Sequence, residues 1–578
     1  MMLITGGALA PDRTDRRLGV GRQPCKRRRP FSPATANCRK RKHQRSASDA
    51  SKLVSEGGPR RIPLSSSDAL PIRWPYGALA AIALAGAVLI WWTMSHGPGV
   101  SPDSAIYLGI AQSVRSGSGF LMDGMPVTHF PPGYPLLLAA ATVVDRNLLD
   151  AARLVAALFF GINTFLVGMA AYVAAGRRFR VAVVAVLLFT VSGPVLNLHA
   201  MAWSEAPFFC CVMGGLLALA TWLSTSDRRY LIGAATAFGI AIVFRYAGLP
   251  LFLPLCVATL ALSGAAWRRR ILDTVLASMI VAVPLAIWLV HNALGSRQAT
   301  DRVLAVHLVS RDALFQMLAT LSGFFFDGVS NSLVQGLIVI ALAAVLLMAI
   351  RHGRQSVPAG ARSWTLPLLG VVWVGGYVVF LLVSISLADA TTPLDERILF
   401  PAFGVVAVCL PVALSEVSRR LNRPAIWWGV VAVALVSVAT RAAAAIQVVG
   451  DIHRTGEGFV ADDWQLSDLM DAVRRLPATT AVYSNSQDAI EFVLHRPAAW
   501  LPDPLIWESM QPNPEYERYR SAMCAQLAAG GVIAFFTTEG TGDAWQQGEA
   551  AAMCPGSAVE QHADGVLLRA SASPASDH

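Results

Sequence analysis

The sequence predicts a mainly α, polytopic helical membrane protein of about eleven spans, with interfacial helices in the first external loop and a small C-terminal α/β domain. Of its 578 residues, 54% are hydrophobic and only 15% are charged, whereas a soluble domain carries about 25% charged residues. Apolar runs of about 20 residues, the length that crosses the hydrocarbon core, recur along the chain. The connectors between these runs alternate between basic and non-basic. Together these observations exclude a single large globular core.

The first 75 residues differ from the rest in charge. They hold 17 Lys and Arg against 5 Asp and Glu, whereas the remaining residues hold 30 against 32. The net charge of +10 therefore belongs to this segment and does not indicate a nucleic-acid-binding enzyme. Because the segment is rich in Arg, Lys, Ser and Pro and has no apolar period, it predicts a disordered basic cytoplasmic tail. The alternative is a contact with anionic lipid or nucleic acid.

Eleven apolar runs predict a membrane domain over residues 76–449. The fifth and sixth runs are short and share a break at Arg245. A further run, 134–144, is too short to span and is predicted to be re-entrant or interfacial. The eleven runs are 76–94, 150–174, 179–198, 203–223, 230–246, 248–264, 272–293, 334–351, 365–387, 397–416 and 424–446.

The charge of the connectors predicts the orientation. Basic connectors alternate strictly with the others, and cytoplasmic connectors carry the excess of Lys and Arg in membrane proteins. We therefore expect a cytoplasmic N-terminus, an external first loop at 95–149 and an external C-terminal segment. The basic connectors are the N-terminal tail, 176–180, 227–229, 267–270, 351–362 and 419–423.

Residues 450–578 change character and predict an external soluble α/β domain. They hold 18 Asp and Glu against 7 Arg, and short β-type pieces alternate with helical ones. Cys524 and Cys554 are the only cysteines of a soluble segment on the predicted external side, where disulfides persist. We expect these two cysteines to pair.

The loop from Ser101 to Pro135 carries more sequence signal than a simple connector needs. Asp103 follows the first apolar run and opens a short amphipathic segment, and a Pro-Pro-Gly-Tyr-Pro hinge leads back to the bilayer. The pattern D-x3-Y-x3-A, then G-x-G, then PPGYPLLLA resembles the first external loop of the GT-C type glycosyltransferases. These polytopic enzymes use lipid-phosphate sugars and include the protein O-mannosyltransferases and the aminoarabinose transferase. The matching residues are Asp103, Tyr107, Ala111, Gly117, Gly119 and 131–135.

The resemblance implies an integral membrane enzyme of a bacterial-type inner membrane. It would be an inverting glycosyltransferase that moves a hexosyl or pentosyl group from a polyprenyl-phosphate donor at the external face. The acceptor would be a lipid, a polysaccharide or a protein of the cell envelope, and no nucleic-acid partner is expected.

Such a transfer needs a base for the acceptor proton and cations for the leaving phosphate. Asp103 is the predicted base, and its alternative role is the N-cap of a helix that begins near Ser104. Arg245 and Arg397 are predicted to bind the donor phosphate, because a guanidinium can pair with phosphate through two hydrogen bonds. The alternatives are a membrane anchor for Arg245 and a helix start with an internal ion pair for Arg397.

Three further residues are candidates for acceptor binding or an auxiliary role. Tyr107 belongs to the loop pattern, His129 lies in the same loop, and Glu205 opens the fourth span, where ionisable groups are costly. No metal-type spacing appears and no metal ligand is assigned, although Asp103, His129 and Glu205 could converge on a divalent metal.

Two other functions remain open from the sequence. A transporter or flippase of lipid-linked sugars predicts ionisable residues at mid-span and repeated halves, but the acids and arginines stand at span ends and no repeat is visible. A non-catalytic scaffold with an external binding domain predicts that Asp103 is dispensable.

Overall fold

The computed structural model describes residues 74–122, 124–296, 304–355, 364–506, 509–537 and 551–571. The predicted basic tail, apart from its last two residues, lies outside the described residues. The helices are α1 Trp74–Thr93, α2 Pro102–Arg115, α3 Gly133–Ala141, α4 Leu148–Ala174, α5 Phe179–Thr190, α6 Gly193–Ala200, α7 Glu205–Thr225, α8 Arg228–Phe244, α9 Phe252–Cys256, α10 Trp267–Ser296, α11 Arg311–Gly323, α12 Ser332–Gln355, α13 Thr365–Leu387, α14 Glu396–Arg420, α15 Pro424–Thr455, α16 Asp462–Gln465, α17 Asp468–Arg474, α18 Gln487–Leu494 and α19 Tyr516–Ala528. The strands are β1 Leu121–Met122, β2 Met125–Pro126, β3 Val482–Ser484, β4 Ala499–Trp500, β5 Leu505–Ile506, β6 Gln511–Pro512, β7 Val532–Phe536, β8 Ser557–His562 and β9 Gly565–Ala570.

The polytopic helical fold is confirmed, but the span count differs from the prediction. Within the described residues, eight helices are long and apolar enough to cross a membrane, or nine if α5 and α6 form one span. The fifth and sixth predicted runs fall on α8, which has only 17 residues, and on the segment Tyr246–Leu262. That segment consists of a 3₁₀ turn, α9 and a π-helical turn, and it contains Pro250 and Pro254. Proline lacks the N–H that a regular helix needs, so this segment is not a continuous long span.

The third predicted span is bent by 68° between α5 and α6. A break inside the hydrocarbon region leaves carbonyl groups that need a donor. Arg441 of α15, which is only 2% exposed, supplies it. Both terminal nitrogens of its guanidinium lie 3.2 Å from the carbonyl oxygen of Leu188, and its Nε donates to the carbonyl of Ser437 on its own helix. The buried arginine thus stabilises the bend.

The first loop contains two short helices, α2 and α3, where the sequence predicts interfacial helices. Ser101 caps α2, because its side chain accepts the Ser104 N–H and Pro102 occupies the first turn, where its missing N–H costs nothing. The alternative role of Asp103 as the N-cap is therefore wrong. Gly133, in the Pro-Pro-Gly-Tyr-Pro hinge, allows α3 to approach α8, since a Cβ there would lie 2.6 Å from the Val243 carbonyl oxygen.

The C-terminal region is the predicted α/β unit. Its five-stranded sheet has the order β4-β3-β7-β9-β8. Strand β3 is parallel to β4 and β7, whereas β9 is antiparallel to β7 and β8. Helix α15 continues to Thr455, past the domain boundary predicted at 449.

The chain that follows α15 holds the start of α2. The Phe459 N–H donates to the Val100 carbonyl at 2.7 Å, and the Val100 N–H donates to the Glu457 carbonyl at 3.3 Å. Gly458 has a φ of +61°, and a Cβ there would lie 2.2 Å from the Val100 carbonyl oxygen, so only glycine fits. The entry to the C-terminal domain therefore fixes the backbone two residues before the first turn of α2.

Cys524 of α19 and Cys554 form a disulfide, with Cα atoms 5.5 Å apart. The two residues are 30 positions apart, and closing a loop of that length restricts the unfolded chain. We predict that the double variant Cys524→Ser/Cys554→Ser loses roughly 3–4 kcal/mol of domain stability in denaturant unfolding. A reductant should destabilise the wild type to the same level and leave the double variant unchanged. Equal stability of wild type and variant would contradict this prediction, as would free thiols at both positions in protein from native membranes.

Candidate active site

The structure brings Asp103, Arg245 and Arg397 together at one end of the membrane helices. Asp103 lies in the first turn of α2, Arg245 follows α8, and Arg397 lies in the first turn of α14. A terminal guanidinium nitrogen of Arg397 lies 2.7 Å from Oδ2 of Asp103. The acid predicted as a base and the arginine predicted to bind phosphate therefore form an ion pair in the protein.

Glu205 connects the two arginines. Its carboxylate is fully buried at the start of α7, and Oε1 pairs with both Arg245 and Arg397. Two guanidinium groups this close would repel each other without an intervening anion. Glu205 is absent from the residues that line the adjacent cavity, so its position suits holding the arginines rather than contacting an acceptor.

The residues before Glu205 complete this arrangement, and sequence reasoning assigned them no role. The Ser204 hydroxyl lies 3.3 Å from Nη1 of Arg245 and 3.4 Å from the Tyr107 hydroxyl. The ring of Trp203 lies 4.5 Å from Cζ of Arg397, a cation–π distance. Its indole N–H donates to the Ser101 hydroxyl at 2.8 Å. In the sequence, these residues could have been recognised from the Trp-Ser-Glu motif at the start of an apolar run.

A cavity of about 630 Å³ opens beside these charges. Five of the six predicted site residues line it, namely Asp103, Tyr107, His129, Arg245 and Arg397. The cavity also has an apolar wall, to which α10 and α13 contribute Leu285, Leu289, Phe380, Leu381, Val383 and Leu387. The cavity therefore suits an amphipathic ligand with an anionic head.

A polar segment between α13 and α14 forms another part of the rim. Asp389, Thr391, Thr392 and Asp395 line the cavity, and sequence reasoning gave none of them a separate binding role. Asp395 also caps α14, because its carboxylate accepts the Ile398 N–H at 2.9 Å. These carboxylates and hydroxyls offer hydrogen-bond partners for a polyhydroxylated group.

Burial changes the ionisation of the groups around the cavity. Burial, with a smaller effect from Asp103, raises the pKa of Tyr107 well above its usual value, so its hydroxyl stays protonated at neutral pH. Burial is the largest single effect on Arg245 and lowers its pKa, but the Glu205 carboxylate together with Tyr377 and Tyr107 gives a net upward shift. Burial also raises the pKa of Asp395. The cavity thus keeps a fixed positive charge at Arg245 beside a neutral phenol.

The described residues contain no group of three or more His, Cys, Asp and Glu side chains placed to hold a metal ion. The structure therefore does not bring Asp103, His129 and Glu205 together as a metal centre.

Comparison with known proteins gives a family match for part of the chain and solved structures of similar fold. Residues 129–292 match the family described as dolichyl-phosphate-mannose-protein mannosyltransferase. The match runs from His129 through Glu205 and Arg245 into α10. The structure is similar to ArnT from Cupriavidus metallidurans in the apo state, with a TM-score of 0.54 and 15% identity, over 85% of this chain and 98% of that one.

The chain has the GT-C glycosyltransferase fold. The predicted resemblance to the polytopic membrane glycosyltransferases is thereby confirmed. ArnT from the same organism bound to undecaprenyl phosphate gives a TM-score of 0.53 and 14% identity, over 86% of this chain and 98% of that one. The archaeal oligosaccharyltransferase AglB from Archaeoglobus fulgidus gives a TM-score of 0.48 and 13% identity, over 80% of this chain and 70% of that one. A comparison with curated protein sequences gives no match.

Proposed function

We propose that this protein transfers a sugar from a polyprenyl-phosphate donor to a cell-envelope acceptor at the external face of the membrane. The observation that carries the proposal is the convergence of Asp103, Arg245 and Arg397 on one cavity with an apolar wall. The matched family and the GT-C fold support a lipid-linked donor. Because one structure of this fold is bound to undecaprenyl phosphate, a polyprenyl phosphate is the carrier that we propose.

The donor phosphate would bind Arg245 and Arg397. Both guanidinium groups line the cavity, and charge-assisted hydrogen bonds to phosphate are stronger than neutral ones. Arg397 donates to Asp103 from one terminal nitrogen, so a phosphate that takes this nitrogen would release the Asp103 carboxylate. Donor binding would then prepare the base for the acceptor.

In the proposed reaction, the acceptor hydroxyl oxygen attacks the anomeric carbon from the face opposite the phosphate. The bond between the anomeric carbon and the phosphate oxygen breaks, and the polyprenyl phosphate leaves with the electron pair. Asp103 takes the acceptor proton, and the two arginines stabilise the charge on the leaving phosphate. The anomeric configuration is inverted, whether the sugar is a hexose or a pentose.

We further propose a bacterial-type inner membrane location, with the N-terminus cytoplasmic and the C-terminal domain external. The strict alternation of basic connectors supports this orientation, and so does the disulfide between Cys524 and Cys554, a bond that persists outside the cytoplasm. The acceptor would be a lipid, a polysaccharide or a protein that approaches along the rim formed by His129 and the segment 389–395.

The proposal predicts that Arg397→Lys weakens donor binding by about 10- to 100-fold, because losing a hydrogen bond to a charged group costs roughly 1.5–3 kcal/mol. Lysine keeps the charge but loses the planar fork. The measurement is the rate of sugar release from radiolabelled polyprenyl-phosphate sugars as a function of donor concentration, in sealed vesicles of either orientation. Only vesicles that expose the external face should react.

The matched control for this experiment is Arg454→Lys. Arg454 is an exposed arginine at the end of α15, on the same side of the membrane helices as the cavity, and it pairs only with Asp451 among the described carboxylates. Its substitution should leave donor affinity within twofold of wild type. Equal donor affinity of Arg397→Lys and wild type would refute the phosphate-binding role, and reaction only from the opposite membrane face would refute the orientation.

A further inference from the structure

A second cavity, of about 440 Å³, lies at the far end of α14. Its charged lining consists of Arg178, Glu416 and Arg419. Since a helix rises about 1.5 Å per residue, Arg419 lies roughly 33 Å along α14 from Arg397. This cavity is therefore separate from the proposed donor site and lies at the membrane face that carries the basic connectors 176–180 and 419–423.

The charge beside this cavity is unbalanced. Glu416 is only 3% exposed and pairs with Arg178 at 3.1 Å, with Arg419 and with Arg420 at 2.5 Å. The guanidinium groups of Arg178 and Arg419 line the cavity with this one carboxylate, which leaves a formal excess of one positive charge in the cavity's charged lining. The side chain of Arg419 is 54% exposed, so this charge is accessible from the aqueous side. An anion entering the cavity would find a preformed cationic wall.

The remaining lining has two chemical characters. Thr221 and Ser224 of α7 contribute hydroxyl groups, whereas Val173, Leu217 and Leu366 contribute apolar surface. A soluble anion needs no apolar wall, but a lipid with a phosphate head and an acyl chain uses both. Basic pockets between membrane helices at the cytoplasmic side bind anionic headgroups for the same reason.

We propose that this cavity binds the phosphate headgroup of an anionic phospholipid of the cytoplasmic leaflet. Arg178 and Arg419 hold the phosphate, the hydroxyl groups of α7 contact its glycerol side, and the apolar wall contacts the start of an acyl chain. The cavity touches α4, α7, α13 and α14. The lipid therefore ties together four helices, of which α13 and α14 line the donor site and α7 carries Glu205.

The test is a binding titration of the purified full-length protein in detergent, followed by native mass spectrometry. The probes are phosphatidylglycerol, phosphatidylcholine and inorganic phosphate. Phosphatidylglycerol should bind at least tenfold more tightly than phosphatidylcholine. Two variants should each lower that affinity about tenfold: Arg419→Gln removes one charge, and Ser224→Phe fills the cavity from an exposed position without changing any charge.

Arg423→Gln is the matched control, because Arg423 is an exposed arginine of the turn before α15 and does not line the cavity. It should bind phosphatidylglycerol within twofold of wild type. Equal affinity for the two lipids would overturn the proposal. So would wild-type binding by Ser224→Phe, or inorganic phosphate binding as tightly as phosphatidylglycerol, which would indicate a soluble-anion site. If Arg419→Gln fails to fold, Ser224→Phe alone decides. The titration measures no sugar transfer, so its failure leaves the proposed glycosyl transfer untouched.

Discussion

Asp103→Asn is expected to lower sugar transfer by about 10²–10⁴-fold, the usual contribution of a general base, while the protein folds and inserts normally. Folding should survive because Ser101, not Asp103, caps α2. The Asp103 side chain is 33% exposed at the cavity, and asparagine keeps its shape and a hydrogen-bond acceptor for Arg397. The substitution therefore removes the proton acceptor and little else. The measurement is the transfer rate at equal membrane expression.

Asp150→Asn is the control for this variant. Asp150 is likewise an acid in the first turn of a helix, α4, and it does not line the cavity. Its loss should leave the transfer rate unchanged. Undiminished transfer by Asp103→Asn would remove the base from the proposed mechanism and favour a non-catalytic scaffold.

Glu205→Gln is expected to reduce both stability and donor binding. Glutamine cannot neutralise Arg245 and Arg397, and these two half-buried arginines would then face each other with only Asp103 to balance Arg397. Removing one partner of a buried ion pair costs roughly 3–5 kcal/mol, because the remaining charge is left uncompensated. Thermal unfolding in detergent should show the loss of stability. Donor affinity per folded molecule should also fall, since the two arginines no longer hold their positions at the cavity.

Asp273→Asn is the control that separates a loss of stability from a loss of donor binding. Asp273 is a carboxylate only 2% exposed, and it pairs with Arg228 at 2.7 Å and Arg269 at 3.6 Å, so it also serves two arginines. It is not among the residues that line the proposed donor site. Its substitution should lower stability and leave donor affinity per folded molecule unchanged. If Glu205→Gln retains wild-type donor affinity, the carboxylate does not position the arginines for the phosphate.

The sequence by itself was sufficient for the fold class and for single site residues. The length of the apolar runs is set by the thickness of the hydrocarbon core, so a polytopic helical protein can be recognised without tertiary information. Asp103, Arg245 and Arg397 could be selected because an ionisable group at the end of an apolar run is costly and therefore rarely incidental. The loop pattern from Asp103 to Pro135 indicated the GT-C resemblance that the fold confirms. All of these signals are local.

The tertiary structure decided which of these groups meet. Glu205 lies 40 positions from Arg245 and 192 positions from Arg397, and no local period reports on contacts so distant in sequence. For the same reason the structure alone revealed that Arg441 stabilises the bend between α5 and α6. The N-cap of α2 is instead a local contact between Ser101 and Ser104, and here the structure corrected which of two neighbouring residues caps the helix. Burial and ion pairing depend on how helices pack against one another. A sequence shows where charges stand along the chain, whereas packing determines which carboxylate holds which arginine at the cavity.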